Sequence, residues 1–347
     1  MKKNIIIGFY TICSISILLL ANWFLFIRDR GKLNIIFISV DTLRQDHLGI
    51  YGYNRNTSPN IDRYFKDSFI FKNAYTATPK TYASFVSLFT GLEPSQTNIF
   101  DYNGRPLKNT EKTLTQYLKE KNFNTAAFVV NGALHYSINN EETNLQKGFD
   151  YWDYLPYFEK ANLINSSSQI TKEVYEHRIT KAIAWLRDNR KNNKFVWFHF
   201  IDPHSPYAPE RKDICEVSPE VCHKILKANT VENIRLKYKG QSNGCYTTTP
   251  PKNIIDSLVK YYDAEIHYTD RLIGKLTKYF DISGISENSI IIFLADHGEG
   301  LDHGYYFQHG PLFDSNVKIP LIVKYPNTQG RTVKRLVANS DILPTIL

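Results

Sequence analysis

The chain reads as an α/β protein built on a doubly wound, mostly parallel sheet with helices on both faces. Three observations predict this. The runs Asn34–Val40 and Ile290–Ala295 are apolar without alternation and too short for buried helices, which suits strands covered on both sides. Strand patterns and amphipathic helical patterns then take turns, the rhythm of a parallel sheet with crossover helices. Finally, the two runs stop on Asp41 and on Asp296-His297, at the carboxyl edge where open α/β sheets place their sites. Each aspartate alone would read as a turn cap; two such strand ends look like two walls of one cation site.

In chain order, residues 1–33 differ from the rest. After Lys2 and Lys3, Asn4–Ile27 carries no charge. Roughly 23 apolar residues at about 1.5 Å each cross a hydrocarbon core of about 30 Å, so the stretch predicts one N-terminal transmembrane helix. Trp23 suits the interface, and Arg28–Lys32 forms a short basic linker. A cleaved signal peptide is the rival, against which stand the length of the run and the lack of an A-x-A site. Lys2 and Lys3 nearly balance Arg28, Arg30 and Lys32, so charge alone does not orient the span.

Residues 34–347 form the second unit. Ser58-Pro59 reads as an N-cap and first helical residue, with a helix to about Lys66, and the Gly- and Asn-rich loop before it is a plausible site wall. From Ser84, Phe85, Leu88 and Phe89 share a helical face and Gly91 is the stop. Thr81 then falls just before or within the first turn, where backbone N–H groups favour an alkoxide, phosphate or sulfate, although an isolated Thr there is also a plain N-cap. Further helices are expected at Thr113–Lys121, Gln169–Asn189 and Asn253–Phe280, and strands at Thr125–Val130, Lys194–Ile201 and Ile319–Lys324. The polar, cysteine-bearing stretch at about 210–251 breaks the rhythm and reads as an inserted loop, either a roof over the pocket that selects the substrate or a plain surface loop.

With 347 residues, 42% of them apolar, the chain can bury a large core. The formal charge of +8 suits a membrane surface or an anionic substrate; scattered charges without a basic, aromatic-interleaved run argue against nucleic acid as a partner. Cys13 lies in the apolar span. Cys215, Cys222 and Cys245 cluster, which suggests one disulfide and a spare thiol in an oxidising compartment, the pair left open; no paired C-x-x-C knuckle points to zinc. Asp202 and His204 follow the Lys194 strand, and His297, His303 and His309 follow the Ile290 strand, a cluster of histidines and acids at strand ends.

Taken in register, V-D-T-L-R-Q-D-H-L-G-I-Y-G-Y, F-V-S-L-F-T-G, D-P-H-S-P-Y, Y-D-A-E-I-H-Y-T-D-R, A-D-H-G-E and Q-H-G-P-L-F resemble the sulfatase branch of the alkaline phosphatase superfamily. The resemblance implies a catalytic domain over 34–347. It makes Asp41, Asp296 and His297 ligands of one divalent cation and Thr81 the nucleophile that completes the shell. His204 and His309 become the groups that bind the anion or protonate the leaving oxygen.

Three departures shape the expectation. Sulfatases with a formylglycine nucleophile start from Cys or Ser in C-x-P-x-R, whereas this chain has Thr81-Tyr82-Ala83-Ser84-Phe85, which lacks both the aldehyde precursor and the Arg. That favours phosphoryl chemistry, including transferases of phosphoethanolamine or phosphoglycerol type, which resemble this branch and use Thr. Thr42 stands where relatives often carry a second Asp, leaving the metal open among Mn, Zn, Mg and Ca. The sequence stops where the family usually continues into a smaller C-terminal subdomain.

The expected protein is a single-pass protein of the cell (inner) membrane with a periplasmic or extracellular catalytic domain. It would be a metal-dependent hydrolase or transferase acting on an anionic ester, of a lipid or an envelope glycan. The alternatives are a sulfuric ester hydrolase and a catalytically silent anion-binding scaffold.

Overall fold

The computed structural model describes residues 32–101, 105–136, 141–154, 168–223, 226–238 and 250–347. The expected span Asn4–Ile27 and Cys245 lie outside them; no helix among the described residues is long and apolar enough to cross a membrane.

Eight strands form one sheet: β1 (Asn34–Val40), β2 (Phe69–Tyr75), β3 (Asn124–Val129), β4 (Tyr151–Tyr154), β5 (Lys194–Phe200), β6 (Ser289–Ala295), β9 (Leu321–Lys324) and β10 (Thr332–Ala338). The order is β10-β2-β9-β6-β1-β5-β3-β4, and a separate two-stranded ribbon pairs β7 (Leu301–Asp302) with β8 (Tyr305–Tyr306). Only the β9 pairings in the large sheet are antiparallel. The expectation of a mostly parallel sheet flanked by helices holds. In the centre β1 is buried along its whole length, as its unbroken apolar run requires.

The helices that matter are α1 (Pro59–Phe65), α2 (Thr81–Thr90), α3 (Leu114–Glu120), α4 (Ser168–Asp188), α5 (Arg211–Val217), α6 (Ala228–Tyr238) and α7 (Lys252–Ile282). Alternation along β5 divides its side chains between layers. Trp197 meets Phe85 and Phe89 of α2, at ring distances of 4.7 and 4.8 Å, while Phe198 meets Phe280 of α7 at 6.2 Å. Gly91 ends α2 at φ +67 with its amide on Ser87 O, the left-handed stop its sequence position predicts.

One expectation changes and another, the disulfide pair left open, is specified. The stretch at 210–251 is not simply a loop: it carries α5 and α6, and its described part lies along α7, with Asp213 holding His267 at 2.7 Å and Arg271 at 2.7 Å. Cys215 and Cys222 form the disulfide. The loop after β1 is pinned to α7 through Asp263, which takes His47 at 2.6 Å, Tyr53 at 2.7 Å and Arg55 at 2.5 Å, so His47 serves packing.

Candidate active site

The site follows from register. Val40 pairs with Ala295 on one side and with Phe200 on the other, so the residues leaving β1, β6 and β5 emerge together at one edge of the sheet. Asp41, Asp296 and His297 are fully buried, and each offers a ligand atom within 4.8 Å of the other two. His297 Nε2 lies 3.4 Å from Asp296 Oδ2 and 4.0 Å from Asp41 Oδ1.

Each carboxylate is half committed. Asp296 Oδ1 accepts the amides of Thr42 (3.1 Å) and His297 (2.8 Å); Asp41 Oδ2 accepts Asn131 Nδ2 at 2.7 Å. The other oxygens, Asp296 Oδ2 and Asp41 Oδ1, are buried with no hydrogen-bond partner. A buried, unsatisfied anionic oxygen is costly, and two of them turned toward one imidazole nitrogen fit a divalent cation. The His297 ring is oriented for this, since Nδ1 donates to Gly298 O at 2.9 Å and leaves Nε2 to present its lone pair. Without a cation, burial and the adjacent Asp41 charge push Asp296 up to about 6. Burial also acts to raise Asp41, but His204, His199 and His297 outweigh it and hold the group well below the usual carboxylate range.

Thr81 is the first residue of α2 and wholly buried, its Oγ1 3.3 Å from His297 Nε2. The helix is fastened there by Ser84, whose hydroxyl donates to Asp296 O at 2.8 Å. Gly298 lets the chain turn away, for a Cβ on it would meet Ser315 O at 2.0 Å. His309 lies over His297, ring centroids 4.3 Å apart, and His204 stands 5.3 Å from His309. His204 Nδ1 donates to Ser205 O at 2.6 Å, and burial with the neighbouring His309 lowers its pKa to about 4, against the pull of Asp41 and Glu299.

All six residues expected in the site therefore gather at one sheet edge. His303 does not: it is exposed and bonded to Asp302. Thr42 gives its amide to Asp296 while its hydroxyl donates to Asp41 O, so its side chain is no ligand. Phe85 faces the core, against Trp197 and edge-on to His199 at 5.0 Å, with no room for a charged clamp.

Four residues the sequence reading passed over belong to the site's support. Asn131 holds Asp41. His199 lies below it with Nε2 3.6 Å from Asp41 Oδ2; its Nδ1 donates to Ser39 Oγ, whose own proton goes to Phe198 O. Glu299 sits 3.8 Å from His309 Nδ1, and Lys80 Nζ donates to His309 O at 3.2 Å. Lys80, directly before Thr81, was the one legible cue, a cation at the start of α2.

The profile of the family described as Sulfatase matches residues 33–347. An ulvan-active sulfatase from Formosa agariphila is 29% identical over 339 residues, covering 91% of this chain and 61% of that protein. The iduronate 2-sulfatase of Homo sapiens is 26% identical, covering 90% and 62%. The chain thus spans about three fifths of the length of these two relatives. Among solved structures, a phosphonate monoester hydrolase of Agrobacterium radiobacter superimposes with a TM-score of 0.66 at 19% identity, covering 91% of this chain and 73% of that one, a likeness of fold. With a profile that runs through every strand of the sheet and through the edge where Asp41, Thr81, Asp296 and His297 meet, the chain belongs to the sulfatase family.

Proposed function

We propose that the chain is a membrane-anchored, metal-dependent hydrolase or transferase that cleaves a phosphate-type ester through Thr81. The observation that carries the reading is the convergence of two half-committed carboxylates and His297 Nε2 beside the Thr81 hydroxyl. Asp41, Asp296 and His297 would hold the cation, with Thr81 completing the set. Once bound, the cation lowers the pKa of the hydroxyl and draws charge from the non-bridging oxygens.

The chain's own groups do the rest. Thr81 Oγ, its proton released to solvent when the cation is bound, would bond to phosphorus as the bond from phosphorus to the ester oxygen breaks, and His309, in the same pocket, suits protonating that departing oxygen. His204 keeps its Nδ1 proton on Ser205 O, so Nε2 suits taking the proton of the water or alcohol that next attacks the phosphothreonine and releases Thr81. Thr81 supports phosphoryl over sulfuryl chemistry because it supplies no aldehyde route for shedding sulfate. Anchoring through Asn4–Ile27, with the domain on the periplasmic or outer side, is supported by the apolar run and by the Cys215–Cys222 bond, which persists in oxidising compartments. The cation would be one of Mn, Zn, Mg and Ca.

A second reading, a sulfuric ester hydrolase, is favoured by the names of the relatives. Both are tested on the purified full chain with bis-p-nitrophenyl phosphate and p-nitrophenyl sulfate. We expect diester turnover, a loss of about 10³-fold or more in Thr81→Ala, and a phosphorylated Thr81 peptide by mass spectrometry. Sulfate turnover alone would reverse the assignment. No bound divalent ion and no effect of chelators would point instead to a silent scaffold.

A further inference from the structure

The edge of the sheet opposite the pocket has its own chemistry. β1, β5 and β6 all begin there, at Asn34, Lys194 and Ser289. Only six residues separate Ile27 from Asn34, a reach of about 20 Å when extended, so whatever holds the apolar segment lies close to this edge. A cleft of about 410 Å³ beside the start of β1 is lined by Lys32, Arg187, Arg190 and Lys194. A second, of about 610 Å³, is lined by Arg63, Lys66, Lys278 and Lys324 among others. Acids are fewer: Asp188 pairs with Arg187 at 3.1 Å, Asp67 with Lys66 at 4.0 Å, Asp281 accepts from Ser286 at 2.7 Å, and Glu287 is exposed just before β6. Between the cations stand exposed apolar groups, Ile282 (76% exposed), Tyr325 and Leu33.

We propose that this edge is a docking face for the anionic phospholipid surface of the bilayer that holds the N-terminal segment, so that the Thr81 pocket faces away from that bilayer. The proposal rests on the anchored reading above. Charge complementarity favours it, since each Lys or Arg near an anionic surface strengthens attachment about fivefold. The exposed aliphatic and aromatic groups suit the interfacial layer. The pocket stands a strand length away, seven residues at about 3.3 Å or about 23 Å. Its ester therefore arrives from the solvent side, as an anionic glycan or other extended ester, and not as a headgroup of the same bilayer.

The test is amide hydrogen exchange on the full chain in nanodiscs of phosphatidylglycerol and of phosphatidylcholine. We expect exchange over 187–193 and 281–288 to slow about fivefold in phosphatidylglycerol relative to phosphatidylcholine. The difference should vanish at about 1 M salt, and in Arg190→Glu/Lys278→Glu, a variant remote from the pocket. Equal exchange in the two nanodiscs, or protection of 301–313 beside the pocket instead, would overturn the docking face. A chain that enters neither nanodisc removes the anchored reading. Vesicles of the two lipids then judge the face alone: flotation with phosphatidylglycerol only upholds it, and no flotation overturns it.

Discussion

Asn131 carries no charge, yet it decides which oxygen of Asp41 faces the pocket, by donating to Oδ2 at 2.7 Å. Its own Oδ1 accepts the Ala133 amide at 3.0 Å, which fixes the side chain that holds the carboxylate. Asn131→Ala should weaken cation affinity by about 10- to 100-fold, read by calorimetric titration, with far-ultraviolet circular dichroism unchanged. Protons compete for the same site. Because burial and Asp41 raise Asp296 to about 6, the carboxylate is increasingly protonated as pH falls below that value. Cation binding requires the deprotonated form, so the rise in melting temperature on adding Mn²⁺ should be large at pH 8 and shrink toward pH 5. Equal shifts at both values would contradict the assigned ligand. Asp41, Asp296 and His297 were legible because a buried strand that stops on a metal-competent residue is a local pattern. Asn131 and His199 were not, because their meaning comes from Asp41 on a neighbouring strand.

Helix α1 shows the same limit at the scale of elements. Its Pro59 start was readable, but Ser58 does not cap it; Asp270 of α7 does, accepting the amides of Asn60 (3.0 Å) and Ile61 (2.8 Å) from 209 residues or more away. Asp270→Ala should cost about 1–2 kcal/mol in chemical denaturation while leaving cation stoichiometry unchanged, which separates packing from site. The strands that escaped notice are those without a buried face pattern. β10 is mostly exposed or half-buried and charged at Lys334 and Arg335, and β4 has four residues. α5 hid in a polar stretch because Asp213 ties it to α7 by ion pairs and Cys215 ties it to Cys222, neither of which leaves a periodic trace. The apolar spacing of α2 starts only at Ser84, and the structure adds the first turn, placing Thr81 within it, one of the two positions its sequence allows.

For the whole molecule, the parallel sheet turns large sequence separations into one site. The ends of β1 and β6 are 255 residues apart in the chain and adjacent in space. The long apolar runs made that sheet readable, but the order of its strands was not, since nothing in a strand's own composition names its neighbour. The same topology starts β1 at one edge and ends it at the pocket on the other, which is why the proposal puts anchoring and catalysis at opposite ends. What the account stands on is a divalent cation held by three side chains beside Thr81. A crystal grown with Mn²⁺ and measured near the manganese absorption edge tests it directly. We expect one anomalous peak per chain, within bonding distance of Asp41 Oδ1, Asp296 Oδ2 and His297 Nε2 and close to Thr81 Oγ1. A peak elsewhere, or none there with the pocket otherwise intact, would contradict it.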